Sequence, residues 1–184
     1  MRARRYVLSM LVAGIVGWLA GSTTYAAFTA TSGNGGNTFD AGTVYISDND
    51  SGGAVVTLTN ARIGDSSTGC IKITYGGSLA SDVHIYGSAT GTLPQYVNLK
   101  VTRGTNTSAF NSCAGFTPDG GGGVLYDGDL SAFPSTYGTG VVDPSTWTTN
   151  DTHDFKIAVT LKNGATAAEG LSSTASFTWE ARNQ

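Results

Sequence analysis

The sequence predicts an all-β protein: a jelly-roll-like antiparallel β-sandwich with a loop-rich insertion and at most one short helix. Three observations predict this class. Apolar and polar residues alternate with a period of two in short segments along the chain. Clusters of Gly, Asn, Asp and Ser separate these segments at nearly regular spacing. No amphipathic stretch of helical length lies between them, which disfavours a parallel α/β arrangement.

Residues 1–26 have the features of a secretory signal peptide. Three arginines in the first five residues precede an uncharged, largely apolar run at 6–20 and then a patch of small residues. We expect cleavage between Ala26 and Ala27. The alternative is a retained anchor, but the run is shorter than the roughly 20 apolar residues of a spanning helix. The chain is therefore expected to contact the membrane only before cleavage.

The mature chain is expected to consist of an arm at 27–42 and a single β-sandwich domain at 43–184. Loss of the three arginines leaves seven basic residues against 13 acidic ones, so the net charge changes from −3 to −6. An acidic, sparsely charged chain argues against nucleic acid as a partner. Its 26 glycines and 12 % charged residues are typical of an extracellular β-protein.

Seven strands are expected within the domain, each with one apolar face. In chain order they are GTVYIS (42–47), AVVTLTN (54–60), CIKITYGG (70–77), DVHIYG (82–87), YVNLKVTR (96–103), HDFKIAVTLK (153–162) and TASFTWEA (174–181). Two antiparallel sheets would bury these apolar faces against each other.

Between the fifth and sixth of these strands, residues 104–150 are expected to form a long loop region. This region contains four consecutive glycines and is rich in turn residues. Asp129 is a candidate N-cap for one short helix that ends before Pro134. Loops of this length are often functional or mobile.

The two cysteines, Cys70 and Cys113, both lie in the exported part of the chain. An even number of cysteines in an oxidising compartment predicts a disulfide, and free thiols are the alternative. Closing this loop would stabilise the fold by about 4 kcal/mol in the chain-entropy description. Two cysteines without neighbouring histidines make a poor zinc site.

The sequence offers little evidence for catalysis, and we expect no enzymatic activity. Its two histidines, His84 and His153, belong to no H-E-x-x-H motif and are expected at the surface or at a strand edge. A G-x-S-x-G motif is also missing from the sequence. No catalytic residue and no required cofactor are therefore assigned.

The best metal candidate is the segment that contains Asp48, Asn49 and Asp50. Three consecutive oxygen-bearing side chains in a Gly-containing turn suit Ca²⁺. The segment lacks the full pattern of an EF-hand loop, and the alternative is an Asx-rich hairpin turn. Ca²⁺ is thus the one metal that the sequence suggests.

Several motifs resemble the TasA/camelysin family, whose signal peptides are processed by a dedicated signal peptidase, SipW. The junction YAAF at 25–28 is similar to the family's cleavage site, and NTFDAGT at 37–43 is similar to the entry into its first strand. Residues 58–87 resemble a family segment that contains Gly-Asp-Ser, and FTWEARNQ at 177–184 resembles the end of actinobacterial members.

This resemblance implies a jelly-roll β-sandwich and, for TasA-like members, an extracellular fibre subunit of a biofilm matrix. We therefore expect a secreted structural protein at the cell surface or in the matrix of a Gram-positive-type bacterium. After cleavage, the arm would begin at Ala27, and Phe28 and Phe39 would be its apolar anchors. Insertion of the arm into a neighbouring copy gives a head-to-tail contact that propagates into a filament. The expected partners are other copies and, during export, the signal peptidase.

Three alternatives remain open at this stage. In the first, the arm is disordered or folds back as an edge strand of its own domain. The second is a cell-surface metallo-endopeptidase, the activity that is described for camelysin-like members. A third is a monomeric secreted domain that binds glycans or another ligand through the long loop region. In that reading four aromatic residues stack on sugars, although aromatics in such loops more often plug the end of a sandwich: Tyr126, Phe133, Tyr137 and Trp147.

Overall fold

Two antiparallel β-sheets form the part of the chain that the computed structural model describes, residues 41–183. In chain order the strands are β1 (Ile46–Asp48), β2 (Ser66–Tyr75), β3 (Ser81–Ala89), β4 (Val97–Thr105), β5 (Thr117–Pro118), β6 (Val124–Asp129), β7 (Val141–Trp147), β8 (Thr152–Leu161) and β9 (Ala175–Asn183). The larger sheet has the order β1-β2-β8-β4-β5, with β6 also paired to β4, and the smaller sheet has the order β7-β3-β9. The predicted all-β, antiparallel sandwich is confirmed.

The core lies between the sheets and follows the alternation in the sequence. Along β8, Phe155, Ile157, Val159 and Leu161 are buried, and the residues between them are partly exposed. The same alternation holds along β2, β3 and β4. Each large aliphatic or aromatic side chain buried here contributes about 1.5–3 kcal/mol. The central position of β8, between β2 and β4, makes it the middle of the core.

Helical structure in the described part of the chain is limited to 3-10 segments of three or four residues. They are Leu93–Tyr96, Gly120–Gly122, Leu130–Ala132, Tyr137–Thr139 and Thr166–Ala168. One of them follows Asp129, as expected, but the Asp129 side chain does not cap it and instead accepts a hydrogen bond from Lys162 Nζ at 2.9 Å. None of the helices in residues 41–183 is long and apolar enough to cross a membrane.

The region at 104–150 is more regular than the sequence predicted. It contains β5, β6 and β7, of which β6 pairs with β4 and β7 pairs with β3. Both β6 and β7 have weak sequence signals, because glycine interrupts β6 and Pro144 lies within β7. Proline is tolerated in an edge strand, where its missing N–H faces away from the ladder, and β7 is such an edge.

The strand expected at 54–60 is absent from both sheets, so that assignment is wrong. The segment cannot pair with β2, because the outer edge of β2 is already occupied. Asn49 Oδ1 accepts the N–H of Lys72 at 2.9 Å, and the N–H of Asn111 donates to the carbonyl of Cys70 at 2.8 Å.

Cys70 and Cys113 form a disulfide, which confirms the predicted pairing. The bond fastens the loop after β4 to the outer edge of β2, where Asn111 also binds. A disulfide is typical of proteins that fold in an oxidising, extracellular environment.

The two ends of the sandwich contain different features: the described chain begins at one end, and a cavity opens toward the other. The described chain begins beside the β2–β3 turn, where the Ser78 N–H donates to the Thr43 carbonyl at 2.9 Å. At this N-terminal end the sheets are joined by a 2.7 Å hydrogen bond between the hydroxyls of Tyr75 and Ser81. The opposite end holds the last residue of β8, Leu161, and the first of β9, Ala175. We call it the groove end, for the cavity described next.

Candidate functional site

A groove of about 840 Å³ opens between the two sheets toward the groove end. Its floor is the apolar face of the larger sheet, including Ile71, Val97 and Leu161. One wall is β9, through Phe177 and Trp179, and residues from 54 to 63 line the other. The ionisable residues in its lining are Asp50, Arg62 and Glu169, of which Arg62 and Glu169 are exposed. The groove therefore has a mainly apolar lining, and two of its charged lining residues, Arg62 and Glu169, are exposed to solvent.

The β9 wall is an unpaired sheet edge. β9 pairs with β3 along its whole length, from Ala175 to Asn183, and no other strand within residues 41–183 pairs with its second edge. Unpaired strand edges present N–H and C=O groups that another strand can bind. Trp179 adds a side-chain donor, because its Nε1–H is buried without a hydrogen-bond partner among the described residues. Such orphaned buried donors are rare in folded proteins.

The opposite wall has strand-like sequence without strand pairing. Residues 54–60 are rich in Val and Thr, and the side chains of Val55, Val56 and Leu58 pack partly buried against the core. Within the described part of the chain, their backbone N–H and C=O groups make no hydrogen bond. The groove thus lies between the unpaired edge of β9 and a segment whose backbone groups make no hydrogen bond with any described residue.

The N-terminal end is closed by a buried charge cluster that the sequence analysis missed. Arg103 of β4 and Asp143 of β7 form an ion pair across the two sheets, with Nε and Oδ2 3.1 Å apart and both side chains almost fully buried. The N–H does not point at the oxygen, so this contact is an ion pair rather than a hydrogen bond. Asp119 lies 3.3 Å from Nη1 and Ser145 accepts from Nη2 at 2.7 Å. Most of the guanidinium is thereby satisfied.

His153 completes this cluster and is held neutral by it. Arg103 Nη2 lies 2.9 Å from both ring nitrogens of His153. Because a guanidinium can only donate, this contact suits a neutral imidazole, in which one ring nitrogen accepts. Burial and then the Arg103 charge lower the pKa of His153 below its ordinary value. Trp147 packs its ring edge-on against this imidazole, so His153 is a structural part of the closed end.

A stacked cluster covers the outer face of the smaller sheet. The rings of His84 and Tyr137 are parallel with centres 4.0 Å apart, and the guanidinium carbon of Arg182 lies 3.9 Å from the Tyr137 ring centre. Glu180 accepts hydrogen bonds from Tyr86 and Arg182, each at 2.7 Å. The bond from Tyr86, followed by that from Arg182, lowers the pKa of Glu180. The charged groups of this cluster are thus paired within it.

The calcium candidate is a hydrogen-bonded turn. Asp48 Oδ1 accepts the N–H of Asp50 at 3.1 Å, Asp50 Oδ1 accepts that of Gly52 at 2.6 Å, and Asn49 binds Lys72 as described. These bonds are those of the Asx-rich turn that the sequence left as the alternative. Across residues 41–183 no three His, Cys, Asp or Glu side chains group in a way that could hold a metal ion. Calcium binding at the turn stays a prediction.

The aromatic residues of the loop region serve different parts of the fold. Phe133 packs edge-on against Tyr126 and Phe177, so these rings plug the sandwich. Trp147 is fully buried. Tyr137 alone of the four lies on the outer face of a sheet. The structure therefore does not bring the four candidate sugar-stacking residues together on one surface.

The expected cleavage site and arm anchors lie outside the described residues. This applies to Ala26, Ala27, Phe28 and Phe39. Their assignments stay sequence-based predictions.

The Arg103 cluster had a signal in the sequence that the strand analysis did not use. Arg103 continues the inward alternation of Val97, Leu99 and Val101, which places it on the buried face of β4. A charged residue at an inward position predicts a buried partner. The identity of that partner, Asp143, depends on the packing of β7 across the sandwich and has no local signal.

We predict that Asp143→Asn lowers the free energy of unfolding by about 3 kcal/mol, since it leaves the buried Arg103 charge with only the partly exposed Asp119. The matched control is Asp127→Asn, which breaks a half-exposed pair with Lys100 at 3.0 Å and should cost at most about 1 kcal/mol. Urea unfolding of the two variants measures both values. Equal decreases in the free energy of unfolding for the two variants would show that the buried ion pair does not stabilise the N-terminal end more than an exposed pair does.

We predict that stability falls as the pH drops below 6.5, the ordinary pKa of histidine. Because the folded state lowers the pKa of His153, the unfolded chain binds the proton first, and unfolding is favoured between 6.5 and the lowered value. The stabilisation is complete above pH 6.5. Urea midpoints between about pH 5 and 8 measure the slope. His153→Gln keeps an acceptor for Arg103 and should flatten the slope in this window; an unchanged slope would contradict the account.

Comparison of the sequence with protein-family models and with curated proteins finds no match. The resemblance to the TasA/camelysin family therefore rests on the sequence motifs alone.

Proposed function

We propose that the protein is a secreted structural subunit of an extracellular or cell-surface fibre, assembled through its N-terminal arm. The observation that carries this proposal is the unpaired edge of β9 beside an apolar groove. An exposed strand edge of this kind is a template for pairing with another chain unless it is covered. Strand addition at such an edge combines main-chain hydrogen bonds with pockets for alternate side chains.

The arm has the chemistry that such a groove would accept. Between Ala27 and Asp40 the sequence is AFTATSGNGGNTFD, in which Asp40 is the single charged residue. Phe28 and Ala30 share one face of an extended chain, so Phe28 would enter the apolar floor of the groove. Phe28, Thr29 and Thr31 favour a strand, and the glycines that follow give a flexible connection.

The positions of the chain start and the groove favour contact with a neighbour. The described chain begins at the N-terminal end, and the groove opens toward the opposite end. Stacking the N-terminal end of one subunit on the groove end of the next gives a heterologous contact, which propagates into a filament when the rotation does not close. Fourteen extended residues reach about 46 Å, and the nine residues of β9 span about 30 Å.

The direction of the inserted strand separates this arrangement from an arm that folds back on its own domain. β9 runs from the groove end to the N-terminal end. An arm from a stacked neighbour would run antiparallel to β9, because its last residue sits at the mouth of the groove. An arm folded back from the same chain would run parallel to β9. Both fit the available length, so length alone does not decide between them.

Export fits the same role. The disulfide is typical of an oxidising, extracellular environment, and the signal-like segment at 1–26 supports secretion. Until the signal is cleaved, the arm remains tied to the membrane. Assembly would therefore begin only outside the cell, at the surface or in the matrix, and peptidase activity is not part of this proposal.

We predict that protein starting at Ala27 forms filaments and that protein starting at Thr43 stays monomeric, because only the first carries the arm. Negative-stain microscopy and light scattering measure both. A synthetic peptide of residues 27–40 should block filament growth by occupying the groove, whereas a scrambled peptide of the same composition should not.

Monomers from both forms at high concentration, with and without Ca²⁺, would contradict the fibre proposal. A monomer whose groove takes up an apolar ligand would instead support the binding-domain alternative, since the groove is apolar and of ligand size.

A further inference from the structure

A strand that enters the groove has two edges, and the N–H and C=O groups along each edge need hydrogen-bond partners. Successive residues of an extended chain direct their N–H and C=O groups alternately to either side, so β9 can bind only one side of it. The other side would face the apolar interior of the groove without partners. A buried, unpaired backbone group costs free energy comparable to a lost hydrogen bond. A second line of backbone is needed beside the inserted strand.

Residues 54–60 meet this requirement by composition and position. The segment AVVTLTN favours a strand, and it lines the groove on the side opposite β9. Its backbone groups make no hydrogen bond within the described part of the chain. Val56 and Leu58 pack partly against the core and Thr57 and Thr59 are exposed, so burial alternates over these four residues, while Val55 before them also packs against the core.

The edge of β2 that this segment would otherwise join is already occupied. Asn49 and the disulfide-bound loop at 109–113 occupy the outer edge of β2. Gly69 of β2 lies so close to Val55 that a Cβ at this position would overlap the Val55 carbonyl oxygen. The start of the segment is thus positioned against β2, while its backbone groups make no hydrogen bond with any described residue.

We infer that residues 54–60 form a latent strand, which pairs with the arm of a second copy when that arm enters the groove. The arm then lies between β9 and the latent strand, and the smaller sheet grows from three strands to five. This inference rests on the proposed function and adds the second binding edge to it. It also accounts for a segment whose sequence favours a strand and whose structure contains none.

Hydrogen exchange with mass spectrometry on the mature chain, as monomer and as filament, tests the inference. Paired amides of residues 54–60 should exchange at least about tenfold more slowly in filaments, together with those of β9. Filaments that protect β9 while residues 54–60 exchange as in the monomer would overturn the latent strand and leave the fibre proposal standing. Failure of the mature chain to form filaments would overturn both.

A pair of variants at one position gives an independent readout. Thr57→Pro removes an N–H that makes no hydrogen bond in the monomer, whereas Thr57→Ala keeps it. We expect both monomers to fold, by circular dichroism, and Thr57→Pro to slow filament growth at least about tenfold relative to Thr57→Ala, since proline removes a main-chain donor that pairing of the latent strand with the arm would use. Equal growth rates of the two variants would contradict pairing at this segment. If the proline variant does not fold, hydrogen exchange of the unmodified chain decides the question.

Discussion

The unequal size of the two sheets is the constraint on which the rest of the structure depends. A six-stranded sheet faces a three-stranded one, and three strands cannot cover the apolar face that six strands present. Along one side β7 lies over the region of β4 and β6, and Arg103 and Asp143 fix that contact. On the other side β9 ends the smaller sheet, and the floor beyond it, around Ile71 and Leu161, opens into the groove. Apolar surface and an unpaired strand edge therefore occur at the same place, which is the combination that a further strand would remove.

The two ends of the sandwich are built for different tasks. The N-terminal end is closed by the Arg103 cluster, by Trp147 and by the hydrogen bond between Tyr75 and Ser81. A buried ion pair of this kind adds little net stability over apolar packing, but it is costly to break, so it fixes how the sheets align. The groove end lacks such a closure among the described residues. The disulfide contributes indirectly, because it holds the loop at 109–113 on the edge of β2 that Val55 also approaches.

Alternation in the sequence was sufficient for the core but not for the edges. In β8 the inward positions from Phe155 to Leu161 are apolar and both neighbouring strands are long, so the period of two predicted this buried face correctly. In β7, Asp143 and Ser145 take inward positions to serve Arg103, and the apolar signal disappears. Residues 54–60 carry the signal of a strand, yet pairing depends on whether a neighbouring edge is available. The groove itself follows from the number of strands in each sheet, which no local pattern encodes, whereas the Cys70–Cys113 pairing followed from the cysteine count alone.

The most direct test of the central claim is a reconstruction of the filaments by electron cryomicroscopy, at a resolution that traces strand direction. The account predicts an extra strand beside β9 that runs antiparallel to it and connects to the next subunit along the fibre. A strand beside β9 that runs parallel to it and connects to Ala41 of the same chain would contradict the account. In that case the groove is closed within each subunit, and assembly uses a different surface.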